Sequence, residues 1–246
     1  MQMLDSNSFS DEEEEAMGTL RETRAPFISD ALKRMGFYNV VIEAFQPLRS
    51  FDEAVNRGNV VGPAATMRLV PSVQRDGYMN APLRHTEVVE EADEGSIFVI
   101  KGDAKDGCVL GDLSVRTAER SGHNGIICNG TIRDLDEVIE DFDIPIYAPN
   151  GKDSSTLESY AHHMEVVDKD CYLSVGGARV RPNDIIVADG DGALVVPREE
   201  LVEVAENARE VKRLEKNMVD KIKSGTRWAE IYEGEHSTKY VPEEDE

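Results

Sequence analysis

The chain is short of cysteine, aromatic residues and positive charge, and each shortage removes a class of function. Three cysteines, Cys108, Cys128 and Cys171, stand apart in 246 residues. They have neither the paired spacing of a zinc site nor the density of a disulfide framework, so reduced, mostly buried thiols are expected. No apolar run is long enough to cross a bilayer, and the N-terminus lacks the basic-then-apolar order of a signal peptide. A soluble, cytoplasmic protein with no membrane partner is the expectation. Lysine and arginine total 27 against 49 aspartates and glutamates, a net charge of −22. With no basic stripe and no aromatics interleaved with Lys or Arg, direct nucleic-acid binding is disfavoured. No Gly-rich nucleotide loop follows a first strand with a ribose-binding acid after it, which speaks against a methyltransferase.

The acidic excess is spread along the chain, in clusters such as 11–15, 90–94 and 243–246. Such a surface repels itself at low ionic strength, and salt relieves it as the Debye length shrinks to about 3 Å at 1 M. A halophilic cytoplasm would explain it. No Gly/Ser/Pro linker divides the chain, and its length suffices to bury one substantial core.

Helix formers occupy residues 11–35 up to Gly36, and Val60 to Val70 is strand-like. A helix from Leu83 to Ala92, a strand from Ile97 to Ile100, a helix from Asp112, a strand from Ile126 to Cys128, a helix from about Arg133 to Glu140 and a strand from Pro145 to Ala148 then alternate, as in an α/β core. Short strands at 164–167, 172–175, 178–180, 185–187 and 194–196 make the second half β-rich. From Arg198 to Lys223, Leu201, Val204, Ala205, Ala208, Val211, Leu214 and Met218 follow helical spacing.

The chemistry concentrates in Gly111-Asp112-Leu113-Ser114 and in Arg133-Asp134, with twenty residues between Asp112 and Arg133. Leu113, Val115 and Ala118 suggest a helical face that Gly122 ends, so Gly111 to Ser114 would be a first turn whose free N–H groups seat a carboxylate or phosphate. Ile126 to Cys128 is a short buried strand and Asn129-Gly130 a turn, which puts Arg133 and Asp134 just past a strand's carboxyl end, where open α/β sheets bind ligands. Taken alone, an Asp at a helix start is more often a cap, and an Arg-Asp pair more often a surface ion pair. Lys101 and Lys105 lie upstream in a polar loop, and no lysine stands in the signature, which favours metal-dependent chemistry over a Schiff base. Cys108 is close enough in sequence to line the pocket. His162-His163 would face opposite sides of a strand. His85, His123 and His236 form no recognisable constellation, so packing or surface roles are expected.

This arrangement resembles the signature of the RraA-like family, which contains the regulator of ribonuclease activity A and the 4-hydroxy-4-methyl-2-oxoglutarate aldolases. Ser29-Asp30-Ala31-Leu32 with Gly36, Gly62 to Thr66, Asn80, Gly95 to Ile100, Gly176-Gly177, Pro182-Asn183-Asp184 and Asp189 to Gly192 with Val195-Val196-Pro197 match in order, over about residues 18 to 210. The resemblance implies a swivelling β/β/α-type sandwich with flanking helices, built into homotrimers or hexamers with sites at subunit boundaries. The catalytic domain would span 18–223, between an acidic N-terminal extension (1–17) and an acidic C-terminal arm or tail (224–246) outside the match, where Trp228 and Tyr232 suggest partial order to about Tyr232. The resemblance carries substrate binding onto Gly111, Asp112, Leu113, Ser114 and Arg133, and metal binding, Mg²⁺ or Mn²⁺, onto Asp134. The substrate carboxylate would meet the N–H groups of Leu113 and Ser114. Arg133 and Asp112 become the catalytic candidates of a lyase that cleaves a hydroxylated oxo-acid to pyruvate. Asn80, Arg84 and the Asp189 to Gly192 turn are candidates for holding the distal part of the substrate. The alternative is a protein-binding regulator needing no catalysis.

Overall fold

A computed structural model of the chain describes residues 8–49, 58–73, 83–103, 108–157 and 164–233. Among them a nine-stranded mixed sheet runs β1-β13-β12-β3-β4-β6-β8-β2, with β9 also paired to β3. Its strands are β1 (Val41–Ile42), β2 (Phe45–Pro47), β3 (Val60–Pro71), β4 (Ile97–Gly102), β6 (Gly125–Asn129), β8 (Ile146–Pro149), β9 (Met164–Lys169), β12 (Ile185–Asp189) and β13 (Gly192–Val196). The strands β3, β4, β6 and β8 are parallel neighbours. Helices α3 (His85–Glu91), α4 (Asp112–Arg120) and α5 (Leu135–Glu140) fill their crossovers, and the remaining strands pair antiparallel. This is the expected α/β sandwich with flanking helices.

The parallel strands are buried on both faces, so their sequences are near-continuous apolar runs. Phe98, Ile100, Ile126 and Cys128 join one core beneath α3, α4 and α5, whereas Ile97, Val99 and Ile127 point the other way. There they meet the hairpin of β10 (Leu173–Val175) and β11 (Ala178–Val180). The edge strands β1 and β2 were not expected from sequence. Only Glu43-Ala44 separates them, so the two ends of the sheet order are joined by one tight turn, with Ala44 at φ 64°.

A third core gathers α1 (Asp11–Arg21), α2 (Ala25–Arg34) and α6 (Leu201–Lys223) against β12 and β13. Leu201, Val204, Ala205, Ala208 and Val211 of the α6 stripe are buried there. The helical run expected over 11–35 is two helices. The buried Asp189 accepts the Ala25 N–H at 3.0 Å, starting α2 anew, and its other oxygen accepts the Asp191 N–H at 2.9 Å. Ala16, Met17 and Leu20 pack into this core, so α1 runs through the junction expected at residues 17/18. Beyond α6, Trp228–Ile231 forms the short helix α7, with Trp228 and Tyr232 about half exposed. Among the described residues no helix is long and apolar enough to cross a membrane.

Candidate active site

A two-stranded parallel ribbon brings the signature together. Strand β5 (Cys108–Leu110) pairs with β7 (Thr131–Ile132), with Leu110 opposite Ile132, and the Arg133 N–H donates to the Leu110 carbonyl at 2.9 Å. Gly111 and Arg133 are the residues immediately after each strand, which is why a wide sequence gap closes in space. Two glycines make room for the ribbon. A Cβ on Gly102 or Gly130 would lie 2.3 or 2.4 Å from a Val109 methyl carbon, so Val109 fills the volume that these residues leave.

The helix α4 starts as expected, with one correction to its cap and another to its face. Gly111, extended at φ −142° and ψ 178°, is the N-cap, and Asp112 is the first helical residue and not the cap. Val115 and Ala118 face the core, but Leu113 is 70% exposed. Leu113 and Val115 are about 200° apart around the axis, so they cannot share a face. The Ser114 N–H already donates to the Gly111 carbonyl at 3.1 Å. It is therefore not the ligand donor expected from sequence. Among the described residues, the N–H groups of Asp112 and Leu113 are the first-turn donors left without an acceptor. Ser114 offers its hydroxyl, which lies 3.4 Å from His85 Nδ1. Gly122, at φ 77°, follows the end of α4 as expected.

Asp134 is the second focus. The helix expected from Arg133 begins only at Leu135, because Asp134 sits in the left-handed region at φ 58°, ψ 43° as its N-cap. Aspartate tolerates this conformation better than most residues, at a cost of order 1 kcal/mol or more. The turn directs its carboxylate back to the ribbon, where a Cβ on Gly111 would lie 3.3 Å from Oδ2. The other oxygen is 3.3 Å from Arg133 Nε, the two side chains being 46% and 33% exposed. A pair this open contributes at most about 1 kcal/mol to stability. Its engagement through Nε makes the Nη groups the ones to reach a ligand.

The surroundings separate the remaining candidates. Cys108 is buried behind the site, its thiol pushed up from the ordinary range by desolvation and 3.1 Å from the Leu110 carbonyl. Lys101 pairs with Asp103 at 3.5 Å, and Arg84 with Glu87 at 3.7 Å. Asp189 is spent on the α2 cap, since a buried carboxylate with two N–H partners is structural. Asn80, Lys105, His162, His163 and His236 lie outside the described residues. His123 Nε2 is 2.8 Å from the Val89 carbonyl, as a packing histidine should be. His85 is buried, in keeping with the packing role expected of it, and it also comes within 3.4 Å of the Ser114 hydroxyl. Its link to Ser114 is tertiary, between α3 and α4, and no spacing pattern announces it.

Among the described residues no three His, Cys, Asp or Glu side chains gather as a metal cage. Mg²⁺ and Mn²⁺ keep most of their waters and take one or two carboxylates plus substrate oxygens. Asp134, partly exposed and aimed at the ribbon, is a carboxylate of the kind such an ion could take.

With fold and site in view, comparison with known proteins places the chain. The model of the RraA-like family, described as Aldolase/RraA, matches residues 25–195, and the chain belongs to that family. It is 30% identical over 185 residues to a Halalkalibacterium halodurans protein named "Putative 4-hydroxy-4-methyl-2-oxoglutarate aldolase", covering 74% of this chain and 76% of that one. Protein DlpA of Legionella pneumophila is 28% identical over 202 residues, covering 81% of this chain, which spans only 30% of that relative's length. Among solved structures, Streptomyces coelicolor RraAS2, described as an unusual member of the RNase ES inhibitor RraA protein family, superposes with a TM-score of 0.68 at 26% identity. The superposition covers 83% of this chain and 95% of that one.

Proposed function

We propose that the chain is a divalent-metal-dependent lyase that cleaves a hydroxylated oxo-acid to pyruvate and a second carbonyl compound, with oxaloacetate decarboxylation as a related activity. One observation carries the reading: the β5/β7 ribbon delivers the open N–H donors of α4 and the Arg133-Asp134 pair to the same place. An anionic oxo-acid needs both kinds of group, donors for its carboxylate and a cation for its keto oxygen.

Asp134 would hold Mg²⁺ or Mn²⁺, with waters completing the shell, and the ion when bound supplies Lewis-acid polarisation of the substrate's oxygens. The N–H groups of Asp112 and Leu113, with the positive end of the α4 dipole, seat the substrate carboxylate. Asp112 accepts the hydroxyl proton as the carbon–carbon bond breaks, directly or through a water. Electrons from that bond flow toward the C2 oxygen, and the Arg133 guanidinium opposes the charge where it grows. The half-exposed setting of Arg133 and the outward Leu113 suit a site completed by a neighbouring subunit of a trimer or hexamer. The net charge of −22 suits a concentrated-salt interior.

Pyruvate release from 4-hydroxy-4-methyl-2-oxoglutarate and from oxaloacetate, in molar KCl with Mg²⁺ or with EDTA, tests the reading. Enzyme-dependent release that EDTA abolishes supports it. No release above the free-metal background, together with stoichiometric capture of a protein partner at the same salt, would replace it with the regulator reading.

A further inference from the structure

His85 is a buried polar side chain that reaches the start of α4 through Ser114. It is the first residue of α3, 4% exposed, and its ring lies nearly parallel to Phe98, at 6.3 Å between centroids and 20° between planes. Phe98 is itself held on its other contacts by β4 and His123, whose ring centroid is 5.9 Å away. The imidazole therefore cannot turn freely, and its Nδ1 presents a fixed partner to the Ser114 hydroxyl at 3.4 Å. Burial drives the His85 pKa down to about 4, so the ring is neutral and carries one N–H.

A neutral ring offers Ser114 two arrangements. If Nδ1 lacks the proton, Ser114 must donate its only hydroxyl hydrogen to the ring, and its lone pairs then face the α4 start and repel an anion. If Nδ1 carries the proton, the ring donates to Oγ, and the hydroxyl hydrogen is free to point at the ligand. Only the second arrangement adds a donor to the Asp112 and Leu113 N–H groups.

We propose that His85 is a positioning residue: its Nδ1–H holds Ser114 Oγ so that the Ser114 O–H becomes the third donor to the substrate carboxylate. This inference rests on the oxo-acid reading for the identity of the anion, and its geometry on the Ser114–His85 contact.

A double-mutant cycle tests it in the full-length protein, read as pyruvate affinity by calorimetry with Mg²⁺, as KM and kcat for the oxo-acid, and as Tm. His85→Leu and Ser114→Ala should each weaken pyruvate binding and raise KM by roughly tenfold, the usual loss for one hydrogen bond to a charged group, with kcat changing less. The double variant should be no weaker than Ser114→Ala alone. His85→Asn, whose side-chain amide N–H replaces Nδ1–H, should recover most of the affinity, and it provides the test should His85→Leu fold poorly. Additive losses in the cycle, or a His85→Asn variant that folds normally and binds no better than His85→Leu, would overturn the proposal. A wild-type protein that binds pyruvate with an intact cycle but releases none from oxo-acids would refute the lyase reading alone. One that binds no pyruvate would overturn both.

Discussion

Replacing Gly111 with alanine puts a methyl group 3.3 Å from Asp134 Oδ2. The backbone there is extended, at φ −142° and ψ 178°, so alanine fits it without strain. Removing glycine's freedom in the unfolded chain even favours folding by about 0.4–1 kcal/mol. The carboxylate must therefore yield by a few tenths of an ångström, and the overall change in stability should stay within about 1 kcal/mol. The activity has less tolerance, because Asp134 is the proposed metal donor and small misplacements of reacting groups cost up to about a hundredfold. Gly111→Ala should keep its Tm within a few degrees while losing tenfold or more in kcat/KM and weakening Mg²⁺ binding. Gly130→Ala is the matched control, since its Cβ would fall 2.4 Å from Val109 Cγ2. Overpacking of that kind costs about 1–3 kcal/mol. Thermal melts, Mg²⁺ titrations by calorimetry and steady-state rates on both variants decide the matter. A Gly111→Ala protein with unchanged Mg²⁺ affinity and turnover would refute the assignment of Asp134.

Three further outcomes follow from the structure. The pKa of His85 is about 4 in the fold, against an unperturbed 6.5. The unfolded chain thus binds a proton that the fold excludes, and stability that is full above pH 6.5 should fall by up to about 3 kcal/mol as pH drops toward 4. Urea melts of wild type and His85→Asn across that range should show the variant losing less, and identical pH slopes would contradict it. Asp134→Asn keeps a side chain that tolerates the left-handed turn but removes the charge, so its melt should match wild type within about 1 kcal/mol while metal binding disappears; Asp134→Val should lose both fold stability and metal. Raising KCl from 0.1 to 1 M shortens the Debye length from about 10 to 3 Å, so a chain of net charge −22 should gain in Tm, and a flat or falling Tm would argue against charge repulsion as its main strain.

Much of the fold was legible because burial writes a period into the sequence. The apolar runs of β4 and β6 and the stripe of α6 announced themselves in this way. The short strands β1, β2, β5 and β7 did not, because two or three residues hold too little pattern to count. Yet the β5/β7 ribbon is what assembles the site. Its residues were named from the signature, but the reason they meet, Leu110 opposite Ile132, exists only in the pairing. The late start of α5 was hidden for a different reason: helix propensity does not reveal that Asp134 leaves the right-handed region. Leu113 shows the reverse error, an apolar residue read as sharing a face with Val115 and Ala118 that the helical angle turns outward. His85 shows the limit of spacing arguments, since its partner Ser114 lies 29 residues away on another helix.

The central claim is that Arg133 acts on the reacting charge and not on the fold. Its side chain is 46% exposed and its pairing with Asp134 is open to solvent, so Arg133→Ala should melt within about 1 kcal/mol of wild type. Loss of a donor to a developing oxyanion should lower the rate by about a hundred- to a thousandfold. Initial rates of metal-dependent pyruvate release from oxo-acid, corrected for the metal-only background and measured beside a melt of the same preparation, test this most directly. A folded Arg133→Ala protein with its rate reduced at least a hundredfold is the predicted result; a folded variant with a wild-type rate would contradict the account.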